Sequence, residues 1–286
     1  MEREILRILN DILGTAVKRT DHIRGGDIGK AFLVETSEDR YFCKIYKQDK
    51  GYEMAAAEQT SLDYIRETNT INTPGVIACS PYLNMGILVL EYIEAGKPSK
   101  RAMELLGQQL AGMHGVSQPG FGLESDNFIG SLPQHNHREN NWVQFYVHRR
   151  LVPQLQLALE KGLLQPGDVP TVSRLESAIE PYMDQVKPSL LHGDFWSGNY
   201  MINTDGQPFL LDPAVYRGHA EVDLAMSRLF GAFPAEFYLS YEAIRPVVPG
   251  TAERQDWYQL YYLLMHLNAF GSSYRSSVMQ ILQRRA

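Results

Sequence analysis

The stretch Leu190-Leu191-His192-Gly193-Asp194-Phe195-Trp196-Ser197-Gly198-Asn199 is followed by a second acid, Asp212, behind the apolar run Pro208-Phe209-Leu210-Leu211. Two short strand-like runs, Asn199 to Asn203 and Pro208 to Asp212, flank Thr204-Asp205-Gly206-Gln207. An Asp-Gly pair between such runs is a strong hairpin signal. With Asp205 and Gly206 as the loop, Thr204 faces Gln207, and counting outward sets Asn199 directly opposite Asp212. Facing residues of a hairpin carry Cβ atoms roughly 4.5–5.5 Å apart. Two oxygens that share one Mg²⁺ need that closeness. An Asp, an Asn five residues later and a downstream Asp are the kit of kinase-type phosphoryl transfer. There a loop Asp accepts the proton of the attacking hydroxyl, and the Asn and second Asp hold Mg²⁺ on the nucleotide phosphates. Asp194 is therefore the expected base, and Asn199 and Asp212 are the expected metal ligands.

A nucleotide site also needs a flexible turn over the phosphates and a cation to hold them. Arg24-Gly25-Gly26-Asp27-Ile28-Gly29-Lys30 offers the turn, with Gly25 and Gly26 at its centre. Ala31 to Glu35 and Tyr41 to Tyr46 then read as two strands around a polar turn, with Lys44 inside the apolar second strand. A lysine there is costly to bury unless it is paired. The phosphates and a glutamate on the next helix are the partners this chemistry supplies. That helix is expected from about Gly51. Of its acids Glu53 and Glu58, Glu58 lies more than a turn deeper and is the expected partner.

The rest of the chain predicts an α+β, two-lobed molecule. Ile5, Leu6, Leu9, Ile12 and Leu13 mark an amphipathic helix ended by Gly14. Gly86 to Ile93 is an apolar strand, and its exit at Glu91, Tyr92 and Ile93 is the expected hinge, where backbone groups take the adenine edge. Beyond it the periodicity turns helical: Met103, Leu106, Leu110 and Met113 form one stripe, Trp142, Phe145 and Tyr146 begin another, and Trp257 onward forms a third. Residues 1–93 are the expected nucleotide-binding lobe and 94–286 the catalytic and substrate lobe.

Composition excludes several classes of function. With 286 residues, 44% of them hydrophobic, the chain has enough material for two lobes and a large core. Its formal net charge of −6 disfavours nucleic acid and suits a small neutral or cationic substrate. No apolar or Arg-rich leader and no run of 18 apolar residues occurs, so neither secretion nor a membrane span is expected. Cys43 and Cys79 are too few for a disulfide framework. The expected compartment is the cytoplasm. No metal-ligand spacing occurs among the histidines, and His135 and His137 are expected in a solvated loop.

With those residues in view, the chain resembles the fructosamine kinase family, within the wider protein-kinase-like and aminoglycoside-phosphotransferase-like superfamily. The resemblance rests on Phe121-Gly122-Leu123 with Asp126 to Gly130; on Trp142 to Leu155; on Leu191 to Asp194 with Trp196 to Asn199; on Asp212-Pro213-Ala214, Tyr216, Gly218-His219, Glu221, Asp223 to Met226 and Leu229-Phe230-Gly231; and on Tyr258 to Tyr261, His266-Leu267-Asn268 and Phe270-Gly271. It implies an ATP- and Mg²⁺-dependent kinase acting on the 3-hydroxyl of a ketoamine, the adduct of a sugar and an amine. The phosphorylated product of such an enzyme sheds its sugar and frees the amine. The resemblance makes Asp194 the base, Asn199 and Asp212 the metal ligands, and Lys44 and Glu58 the phosphate-positioning pair. His192 and Asp223 become supports of the catalytic loop, although Asp223 also reads as an N-cap for the helix beginning at Leu224. Trp196 reads either as a wall covering the sugar or as a core residue.

One departure stands out. Where many relatives carry a small polar or sulfur residue after the paired glycines, this chain has Asp27, whose charge opposes phosphate by ~1 kcal/mol at about 4 Å in water. Two other readings stay open. One is a kinase of the same superfamily acting on an aminoglycoside or choline. The other is a nucleotide-binding pseudokinase, against which stands the presence of Asp194, Asn199, Asp212 and Lys44.

Overall fold

The computed structural model describes residues 2–23, 29–47, 49–116, 118–183 and 186–286. Helix α1 (Glu2–Leu13) precedes five strands: β1 (Arg19–Ile23), β2 (Gly29–Glu35), β3 (Arg40–Tyr46), β4 (Val76–Tyr82) and β5 (Met85–Glu91). They form one antiparallel sheet in the order β1-β2-β3-β5-β4, with helix α2 (Gly51–Glu67) between β3 and β4 in the chain. The period of two along β3 decides which face each residue serves. Cys43 and Ile45 pack with Ile5, Ile8 and Leu9 of α1, while Tyr46 packs with Met54, Ala55 and Leu62 of α2. Lys44 falls on the α2 side of an interior strand, opposite Ala31 on β2 and Leu88 on β5. The start of α2 lies against backbone: a Cβ on Gly86 would come within 2.1 Å of the Gly51 carbonyl oxygen. That close approach fixes the helix two turns before Glu58.

The remainder is mainly helical. Helix α3 (Lys100–Gly115), capped by the Ser99 side chain, leads to a hairpin of β6 (Asn127–Ile129) and β7 (Leu132–Gln134). Helix α4 (Trp142–Tyr146) runs through one π-type turn, Val147–Leu151, into α5 (Val152–Glu160), and α6 (Val172–Ile179) follows. Strand β8 (Ser189–Leu191) pairs with β11 (Tyr216–Gly218), and β9 (Tyr200–Ile202) with β10 (Pro208–Leu210). Helices α7 (Glu221–Leu229), α8 (Ala235–Glu242), α9 (Thr251–Phe270) and α10 (Arg275–Arg285) complete the chain. The predicted apolar stripes on α3, α4 and α9 all enter one core. At about 1.5–3 kcal/mol for each large apolar side chain buried, this core outweighs the smaller clusters on the two sheet faces. Among the described residues, no helix is long and apolar enough to cross a membrane. His135 and His137 are exposed, as expected.

The β9–β10 hairpin corrects the predicted register. Ile202 faces Pro208 and Tyr200 faces Leu210, so the loop holds three residues and Asn199 falls opposite Leu211, not Asp212. The Asn203 side chain is the cause: its Oδ1 accepts from the amides of Asp205 at 3.0 Å and Gln207 at 2.8 Å, closing an Asx-type turn that takes up one more residue. The hairpin is also where the sheet meets the helical part. Leu210 N–H donates to Asn72 O at 2.9 Å and Gly96 N–H to Ile202 O at 2.8 Å.

Candidate active site

Asp194 sits in the loop leaving β8, and the backbone before it is held on all sides. Gly193 has φ +83°, and a Cβ there would lie 2.0 Å from the Ala214 carbonyl oxygen, so only glycine fits. The Asp223 carboxylate, wholly buried in the first turn of α7, accepts from the amides of His192 (2.7 Å) and Gly193 (2.9 Å). It also meets His114 Nε2 at 3.0 Å, and His114 Nδ1 lies 2.8 Å from the Tyr241 hydroxyl. The carbonyl side is held too: Tyr262 donates to Gly193 O at 2.8 Å and Ala214 N–H to His192 O at 2.8 Å. Asp223 is thus no N-cap; α7 has already begun at Glu221, and the carboxylate holds the backbone just before Asp194 instead. The His192 ring accepts the Asp194 amide on Nδ1 (3.2 Å) and donates from Nε2 to Leu211 O (2.9 Å). Burial pulls its pKa down, which keeps the neutral tautomer those two bonds require.

The Asp194 side chain is less completely held. Asn199 Nδ2 donates to its Oδ2 at 3.0 Å and to its backbone oxygen at 2.9 Å. Oδ1 is buried without a hydrogen-bond partner among the described residues. Burial raises the carboxyl pKa to about 7; the Asn199 hydrogen bond opposes that rise and the charge of Asp223 adds to it. A carboxylate with one open, poorly solvated oxygen is well matched to accept a proton near neutral pH.

Asp212 leaves β10 with φ +50°, an uncommon conformation for a non-glycine residue, and its carboxylate forms an ion pair with Lys44 Nζ. Lys44 Nζ also lies 2.7 Å from Glu58 Oε1, and the Tyr46 hydroxyl donates to Glu58 Oε2. Strand β3, helix α2 and the end of β10 therefore converge on one ammonium group. Glu53 takes no part in this cluster. Trp196 is 37% exposed and lies outside the core, its ring against Gly198, where a Cβ would approach it to 2.5 Å. Glu91 ends β5, with its carboxylate accepting Gly75 N–H at 3.1 Å and its own amide donating to Gly75 O at 2.8 Å; Tyr92 lies under the Arg40 guanidinium and Ile93 is buried. Gly25, Gly26 and Asp27 lie outside the described residues.

Several supports escaped the sequence reading. Arg150, fully buried, donates to His135 O (2.5 Å) and Asn136 Oδ1 (2.7 Å) and lies 3.9 Å over the Tyr216 ring. Asn127 donates to Val215 O (2.8 Å) and Gln134 to Ala214 O (3.1 Å), while Tyr261 donates to Gln134 (2.8 Å). This network braces the two residues just past Pro213. An arginine inside the apolar stripe of Trp142 to Leu155 was the available signal, since a cation there must be satisfied internally.

Among the described residues no cluster of three or more His, Cys, Asp or Glu side chains encloses a metal site. Mg²⁺ needs no such cage, because it takes one or two protein ligands plus phosphates and water. The Asp212 carboxylate fits that role. So does the Asn199 amide oxygen, since Asn199 binds Asp194 through its nitrogen alone.

The family model described as fructosamine kinase matches residues 1–285. A probable ketoamine kinase of Lactiplantibacillus plantarum is 38% identical over 277 residues, 94% of this chain and 95% of that protein. A chloroplastic protein-ribulosamine 3-kinase of Arabidopsis thaliana is 37% identical over 96% of this chain and 85% of its own length. The crystal structure of a candidate fructosamine-3-kinase from Haemophilus somnus superposes with a TM-score of 0.88 at 28% identity, covering 98% of this chain and 96% of that one. An aminoglycoside phosphotransferase solved with ADP and hygromycin B, 12% identical, matches with a TM-score of 0.66 over 98% of this chain and 96% of its own, a likeness of fold.

Proposed function

Since this chain belongs to the fructosamine kinase family and is a kinase, we propose that it uses ATP to phosphorylate the 3-hydroxyl of a ketoamine. The product then sheds its sugar and releases the amine, a deglycation step. The observation that carries this reading is the Asp194 carboxylate. One oxygen is bound by Asn199, and the other is buried without a hydrogen-bond partner among the described residues, two residues before the part-exposed Trp196. In this reading Asp194 takes the proton of the acceptor hydroxyl through that open oxygen. The Trp196 ring covers an apolar C–H face of the sugar. Lys44, steered by Glu58, meets the phosphates, and the backbone of Glu91 to Ile93 receives the adenine. Gly25 and Gly26 belong to the turn over the phosphates. Asp212 and Asn199 would hold Mg²⁺, which neutralises charge on the transferring phosphoryl group when bound. Residues 1–93 act as the nucleotide half and 94–286 as the acceptor half.

The name of the plant relative, a protein-ribulosamine 3-kinase, supports both the 3-hydroxyl and an amine carried on a protein. The bacterial relatives support a cytoplasmic setting. ATP consumption across a panel of ribulosamines and fructosamines, with an aminoglycoside and choline at equal concentration, tests the reading. Turnover is expected on ketoamines alone; turnover of an aminoglycoside with none on any ketoamine would overturn it.

A further inference from the structure

Most large aromatic side chains of α9 are buried, but two rings where α7 and α9 end are not: Phe230 is 37% exposed and Phe270 50%. With His266 and Tyr274 they form a cluster. The centroid of Phe230 lies 4.5 Å from that of His266 and 6.4 Å from Tyr274, and His266 lies 5.4 Å from Phe270 and 5.1 Å from Tyr274. His266 is oriented from within, its Nδ1 donating to Tyr262 O at 2.8 Å.

Three tethers connect the elements that carry this cluster to the loop around Asp194. Tyr262, one turn before His266, binds Gly193 O. Asp223, seven residues before Phe230 on α7, binds the His192 and Gly193 amides. Phe233, three residues past Phe230, packs edge-on to Phe195 with centroids 5.1 Å apart, and Phe195 sits between Asp194 and Trp196. At 1.5 Å of rise per residue, the exposed rings stand only roughly 6–12 Å along their helices from groups touching that loop.

We propose that this cluster receives the amine-bearing half of the acceptor, with its protonated secondary nitrogen held against the faces of Phe230 and Phe270. The inference rests on the ketoamine reading above and deepens it. A ketoamine whose 3-hydroxyl meets Asp194 carries its nitrogen a few bonds away, so the amine substituent must leave the loop over neighbouring surface. Aromatic faces attract such a cation while tolerating different substituents. The chain's net charge of −6 favours the same ligand.

Steady-state kinetics on two acceptors with one sugar test it: a ketoamine on a lysine side chain, and its ether analogue with oxygen in place of the nitrogen. The wild-type chain is expected to prefer the amine. Phe230→Leu and Phe270→Leu, which keep apolar bulk but remove the π face, should shrink that preference by roughly 3- to 30-fold in kcat/KM. KM for ATP and the Tm should stay unchanged. An undiminished preference, or an equal loss on both acceptors, overturns the inference and leaves the kinase reading standing. Failure of the wild-type chain on every ketoamine sinks that reading and the inference together.

Discussion

Lys44 reaches the site on a flexible four-carbon stem, steered by Glu58 and Asp212 at its charged tip, whereas Gly193 is fixed by hydrogen bonds on both its amide and its carbonyl. The sheet side of the site is thus organised by charges that can exchange partners. The helical side is organised by buried polar groups, Asp223, His114, Tyr262, and the Arg150 network, that have nowhere else to turn. This difference matches the two tasks of the proposed mechanism. Phosphates arrive and leave with each turnover, so their cation must be able to let go. The base and the loop before it must stand in one geometry throughout.

The largest expected effect lies at the tip of the braced side. Asp194→Asn keeps the side chain's shape but removes the proton acceptor, and kcat should fall by ~10²–10⁴-fold. Calorimetric affinity for Mg²⁺-ATP should be nearly unchanged, because Lys44, Glu58 and Asp212 are untouched. A variant that kept most of the wild-type kcat would mean the base is elsewhere. Next comes the brace itself. Asp223→Ala leaves two buried amides without an acceptor and should cost about 2–5 kcal/mol of stability. Chemical denaturation measures this; a loss under 1 kcal/mol would show that the loop stands without its carboxylate.

The hairpin that meets the sheet's charges should respond in binding instead of folding. Asp212→Ala is expected to weaken Mg²⁺-ATP by tenfold or more with little change in Tm, and Asn199→Ala to do so more mildly, since it removes a neutral ligand. Equal and wild-type-like affinities in both variants would break the comparison at its metal end.

Acid should distinguish the sides as well. Burial lowers the pKa of His114, His192 and His219, the last to about 4. In the unfolded chain each returns to about 6.5. As pH falls through that window the unfolded chain takes up protons that the folded chain cannot. The histidines' contribution is therefore fully present above about 6.5 and is lost toward 4, whereas Asp194, raised to about 7 in the fold, contributes in the opposite sense, gaining stability as pH falls from 7 toward its unfolded value of about 3.9. Carboxylates held low in the fold, such as Glu221, add their own loss only nearer their unfolded value of about 4.3. Between pH 6.5 and 5 the slope is the imidazole loss less the opposing Asp194 gain, and His219→Gln should remove one imidazole's share of it in a Tm series. A slope over that range left unchanged by His219→Gln would refute a buried neutral His219.

How much of this was legible in the sequence follows from the same contrast. The Lys44–Glu58 pair could be read because a lone cation in an apolar strand demands a partner, and the next helix offers few. Asp194, Asn199 and Asp212 stand within one short stretch, where spacing alone suggests a shared site. The hairpin register was missed by one residue because the Asn203 side chain closes the turn, although an Asn before Asp-Gly was there to be weighed. The braces were harder. His114, Arg150 and Tyr262 come from α3, the π-type turn and α9, and nothing in local periodicity says which buried polar groups from distant helices will meet. Gly25 and Gly26 lie outside the described residues, so their part in the site rests on sequence alone.

Trp196 gives the smallest and sharpest test, because it belongs to neither regime. Its ring is neither charged nor built into the core, and leans on Gly198 in the loop that follows Asp194. A core tryptophan cut to alanine costs about 3–5 kcal/mol. At 37% exposure most of that penalty should be absent, so Trp196→Ala should move the Tm by only a degree or two. Its effect should appear as a raised KM for the ketoamine with the ATP KM unchanged, because the ring would touch the acceptor and not the nucleotide. Melting and two-substrate kinetics on one preparation decide the matter. A large Tm drop would return Trp196 to the braced side, and an unchanged acceptor KM would remove it from the sugar pocket.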